Sequence, residues 1–72
     1  MSSQDIEWLR NEFPLHRHRT LRGETLQAYY KAEMLLNGYD KINVRGCSCQ
    51  YRTLKNSVDM LYDRRQWEKQ DI

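Results

Sequence analysis

At 72 residues, 39% hydrophobic and 31% charged, the chain is bounded to one small domain whose single core gives only marginal stability. Five Tyr, two Trp and one Phe argue against disorder, and a net charge of +2 is too mild to imply nucleic-acid binding by itself. No apolar run approaches the ~20 residues of a membrane span, and residues 1–5 lack the basic and apolar regions of a secretion signal, so neither a membrane nor export is expected.

The first predicted element is a short helix over about residues 4–13. Ser3 suits the N-cap, Asp5 and Glu7 suit the first turn, and Ile6, Leu9 and Phe13 recur on one face. Pro14 stops it, because the residue before a proline is biased out of the helical region. Residues 15–23 then read as a basic linker in which His16, Arg17, His18, Arg19 and Arg22 occur without an acid.

A second helix is predicted over 23–37, with Gly38 as its C-terminal stop. Helical spacing places Thr25, Ala28, Tyr29, Ala32, Leu35 and Leu36 in one stripe, with Leu35 and Leu36 expected at a packed centre. Leu26, Tyr30 and Met34 fall on the other side. A helix apolar on two faces is buried between neighbours or shared with a partner, which makes Tyr30 and Met34 candidate interface residues.

Residues 39–46 connect this helix to the next, and the alternation of Ile42 and Val44 permits a short extended stretch. The third helix is predicted over about 49–66, with Ser48 as N-cap and Tyr51, Leu54, Val58, Leu61 and Tyr62 as its core stripe. Met60 and Trp67 project away from that stripe. Either the helix ends before Trp67 and lets it fold back, or the two form an exposed apolar spot; the second reading makes them candidate interface residues, since Trp is enriched at binding hot spots.

The two cysteines lie one residue apart in Cys47-Ser48-Cys49, and the two histidines lie one residue apart in His16-Arg17-His18. Together they offer one tetrahedral set for zinc, which takes Cys thiolate and His nitrogen. Familiar structural sites use wider spacings than C-x-C and H-x-H. The plainer alternative is two solvent-facing histidines and two small hydrophobes at a helix entrance, with no cofactor. A bridge between cysteines so close would form a tiny, strained ring, so a disulfide is not expected and a reducing compartment fits best. A third reading is thiol reactivity, because Cys49 at a helix start near Arg45 and Arg52 feels positive potential.

The stretches 17–22 and 41–55 are both free of acids, and if they meet they form one positive patch from Arg17, Arg19, Arg22, Lys41, Arg45, Arg52 and Lys55. The long connector before the third helix does not fit a helix-turn-helix. No Ser/His/acid trio is recognisable, so an enzyme is not expected.

The stretch 29–67, YYKAEMLLNGYDKINVRGCSCQYRTLKNSVDMLYDRRQW, resembles very short proteins of tailed bacteriophages. The shared order is a Tyr/Ala/Leu helix, a basic connector, a cysteine pair, then an Arg- and Leu-bearing helix ending in an aromatic. The resemblance implies no site residue. It implies a context, either a virion component or a small effector on host machinery, in a bacterial cytoplasm or in the virion. The combined expectation is an all-α three-helix domain, with a short first helix across an antiparallel second and third. It would be a non-enzymatic module acting by contact with a protein partner or by self-association. The alternative is a nucleic-acid-binding regulator built on the two basic stretches.

Overall fold

The computed structural model describes residues 1–71, with side chains to residue 69. Three α-helices carry the fold: α1 (Ser3–Asn11), α2 (Glu24–Asn37) and α3 (Tyr51–Asp63). Segments of 3-10 helix follow or precede them at Phe13–His16, Ser48–Gln50 and Gln66–Asp71, and no strand occurs among the described residues. The all-α expectation holds, and the extended stretch at Ile42 and Val44 forms no strand.

Helix α1 starts at Ser3, and its cap is Ser2, one residue before the predicted one. The Ser2 hydroxyl accepts from the Asp5 N–H at 3.2 Å, satisfying one of the donors a helix start leaves open. It ends at Asn11, and the chain tightens into a 3-10 turn with Pro14 near its start, where a missing N–H is least costly. That turn drops Phe13 into full burial. Helix α2 runs as predicted between two glycines with positive φ, Gly23 at +56° and Gly38 at +75°. Past Gly38 the Tyr39 N–H donates to the Met34 carbonyl at 3.0 Å, which closes the helix end.

Helix α3 stops three residues short of the predicted 66. Arg65 takes the left-handed conformation at φ 58°, reversing the chain so that Gln66–Asp71 turns back over the core. Trp67 is thereby 2% exposed, with its indole N–H donating to the Tyr62 carbonyl at 2.9 Å. Of the two alternatives the fold-back holds, and the exposed apolar spot with Met60 is corrected: the helix ends first and Trp67 turns inward.

Helices α2 and α3 pack antiparallel. Tyr30 neighbours Tyr51 at the start of α3, while Tyr29 meets Lys55 and Asp59 further along it. Helix α1 packs against the segments Phe13–His16 and Gln66–Asp71 and is tied to α3 by the Tyr62 hydroxyl donating to the Leu9 carbonyl at 2.8 Å. The core between the three is aromatic. Phe13 stands with ring centroids 5.0 Å from both Tyr29 and Tyr62 and 5.8 Å from Trp8, and Trp67 stacks on Tyr62 at 5.0 Å. Leu35 and Leu36 only pack against this cluster from its margin, which corrects their predicted central place. They belong to the last turn of α2, where a groove between Met1, Met34 and Tyr39 opens to solvent. No helix among the described residues is long and apolar enough to cross a membrane.

Candidate functional site

The two basic stretches do meet, but over carboxylates. Arg17 reaches from the linker to α3, placing Nε 3.3 Å from Asp59 and its two terminal nitrogens 2.8 and 3.2 Å from the Asp63 oxygens. Its guanidinium lies over the Tyr62 ring at 5.1 Å. The Lys55 ammonium donates to Asp59 at 2.9 Å, to the Arg17 carbonyl at 3.0 Å and to the Tyr29 hydroxyl at 3.1 Å. Tyr29 in turn donates to Asp59 at 2.9 Å.

This lattice sets the ionisation of its members. The hydrogen bond from Arg17 holds the exposed Asp63 carboxyl below its ordinary range. Burial pulls the Lys55 ammonium down, but hydrogen bonds to Asp59 and Tyr29 outweigh it and the net shift is upward. Burial pushes the Tyr29 and Tyr62 hydroxyls up. Arg17 and Lys55 therefore brace the linker against α3 and are not free phosphate ligands. Arg19, Arg22, Lys41 and Arg52 remain exposed and form no ion pair among the described residues.

Arg45 is the third cation withdrawn from the predicted patch. Its guanidinium forks onto Glu33, with one arm at 2.7 Å, and also reaches the Asn43 carbonyl at 2.8 Å. Glu33 is only 4% exposed, and a carboxylate that deep needs a close, hydrogen-bonded cation. The Arg45 N–H donates to the Tyr30 hydroxyl at 3.1 Å. Tyr30 is buried by this clamp, so it is an anchor for the connector and not the interface residue predicted.

The proposed metal set is not assembled. His16 places Nδ1 3.2 Å from the Thr25 hydroxyl, in the first turn of α2, and His18 lies exposed in the linker. Cys49 lines a groove with Arg45, whose guanidinium is clamped to Glu33, eight residues further along α2 than Thr25. Among the described residues no three His, Cys, Asp or Glu side chains gather as metal ligands. The structure instead pairs the two cysteine sulfurs with each other, against expectation, with Cα atoms 5.3 Å apart, inside the range that bridged cysteines adopt. Cys47, in extended conformation, caps the 3-10 segment Ser48–Gln50, its sulfur accepting from the Cys49 N–H at 3.3 Å; α3 itself starts at Tyr51, two residues later than predicted, so Ser48 is not its N-cap.

Of the four predicted interface residues, Tyr30 and Trp67 are internal, Met34 is partly buried and Met60 is 51% exposed on α3. Sequence reasoning missed the larger exposed apolar set. Tyr39, Ile42 and Val44, the last 70% exposed, all stand on the connector between Gly38 and Gly46. Ile42 and Val44 carried the alternation that suggested an extended stretch; with no partner strand among the described residues, both stay exposed. The chain matches no protein-family model, no curated protein and no solved structure.

Proposed function

We propose that the protein is a non-enzymatic binding module that engages a protein partner through the connector 38–46 and the adjoining last turn of α2. The observation that carries this reading is the exposure of Tyr39, Ile42 and Val44 on one short segment whose far end is fixed by Arg45 to Glu33 and Tyr30. An ordered apolar segment loses little freedom on binding, and aromatic and apolar side chains concentrate at interface centres. Met34 and Met1 line the neighbouring groove and extend the surface. The resemblance to short tailed-phage proteins supplies the context of a virion component or an effector on host machinery.

The test is co-purification from the native source. Ile42→Asp with Val44→Asp should abolish partner capture while thermal melting stays within about 0.5 kcal/mol of the parent, the usual range for surface changes. Capture that survives the double change would refute the assignment. The nucleic-acid alternative rests on Arg19, Arg22, Lys41 and Arg52, and a duplex-DNA affinity that falls steeply with added salt would favour it.

A further inference from the structure

The cysteine pair is placed as a reactive group and not as a staple. A bridge between residues two apart in sequence closes almost no loop, so it removes little entropy from the unfolded chain. Both cysteines are exposed, and neither belongs to the aromatic core. The segment that carries them is nonetheless held in place, by Arg45 on one side and by the first turn of α3 on the other. An exposed bridge on a fixed support is accessible to small thiols without unfolding.

The two sulfurs are not equivalent. The Cys47 sulfur accepts the Cys49 N–H at 3.3 Å, a contact that favours negative charge there. Cys49 instead lines a shallow groove with Asn43, Val44, Arg45, Gln50 and Thr53, where a small molecule could rest against its sulfur. Of the cations in the surrounding stretch 41–55, Arg45 and Lys55 are paired with Glu33 and Asp59, while Lys41 and Arg52 form no ion pair among the described residues and leave a net positive setting, which favours thiolates.

We propose that Cys47-Ser48-Cys49 is a reversible thiol–disulfide exchange site for low-molecular-weight thiols, attacked at Cys49 with Cys47 as the leaving thiolate. A thiolate RS⁻ bonds to the Cys49 sulfur as the Cys47–Cys49 bond breaks, and its electron pair leaves on Cys47, which takes a proton from solvent. A second thiolate attacks the R sulfur of the mixed disulfide, releasing R–S–S–R and the Cys49 thiolate, which is then protonated. In sum, two RSH are oxidised to one RSSR and the protein bridge is reduced to two thiols.

The experiment equilibrates the intact protein with glutathione buffers of graded reduced-to-oxidised ratio, quenches with an alkylating reagent and maps the peptides by mass. The expected result is a single reversible transition between bridged and dithiol forms, with melting temperature shifted by no more than a few degrees between them. Brief exposure to limiting reduced glutathione should place the tripeptide on Cys49 and the alkyl label on Cys47. A bridge that never forms in oxidised buffer, one that resists millimolar reduced glutathione, or a fold that collapses on reduction would each overturn the site. Adducts found chiefly on Cys47 would overturn the direction of attack.

Discussion

Trp67 is held by a stack on Tyr62 and a hydrogen bond to that residue's own carbonyl, both made possible by the turn at Arg65. Truncating a buried Trp removes a large apolar area and leaves a cavity, so Trp67→Ala should cost about 3–5 kcal/mol, measured by urea unfolding. A loss under about 1 kcal/mol would mean the C-terminal segment contributes little to the fold. The turn has its own cost. A side chain in the left-handed region is disfavoured by roughly 1–2 kcal/mol. Arg65→Gly should therefore stabilise by about 0.5 kcal/mol after the added freedom of the unfolded chain is counted, whereas Arg65→Val should destabilise by about 1 kcal/mol or more. Only the possibility of the fold-back was legible beforehand. Residues 61–67 hold no glycine or proline to announce a stop, so helical spacing could not decide between a fold-back and an exposed Trp67.

For the helices, legibility followed the punctuation. Gly23 and Gly38 bracket α2 and Pro14 ends α1 within two residues, because these residues act on the local backbone whatever the tertiary context. Which face of α2 is buried depends on where α3 and the connector cross it, and helical spacing alone could not rank Tyr30 and Glu33 above Leu35 and Leu36. Tyr29→Ala should therefore cost about 3–5 kcal/mol and Leu35→Ala distinctly less, a ranking that parallel denaturation curves will check. The clamp beneath the candidate interface was equally hidden, since it joins Arg45 to a glutamate twelve positions earlier. Arg45→Met strands the Glu33 charge and should cost about 3 kcal/mol, while adding Glu33→Gln should recover most of it. If the double change is as unstable as the single one, the clamp acts through shape and not charge.

Across the whole molecule, the ionisable lattice defines a pH window. The depressed carboxyl of Asp63 contributes stability that is present above its unfolded value of about 3.9 and is lost as pH falls through the lower folded value. Lys55, Tyr29 and Tyr62 are raised, so their contribution is present below about pH 10 and is lost as pH climbs through their folded values. Thermal melts should thus fall off on both sides of a plateau, and Asp63→Asn should make the acid limb shallower. An unchanged acid limb in that variant would show that the Arg17–Asp63 pair adds nothing measurable.

The bond from Tyr62 to Leu9 also orders events during synthesis. Translation proceeds from the N-terminus, and α1, at 9 residues, is too short to persist as an isolated helix. The groups that hold it, Tyr62 and the turned-back segment Gln66–Asp71, follow it by about fifty residues. Helix α1 consequently stays without its long-range partners until Trp67 has cleared the exit tunnel. Ribosome-bound chains stalled shortly after Asp63 should remain sensitive to protease, and chains carried past Trp67 on a flexible spacer should resist it.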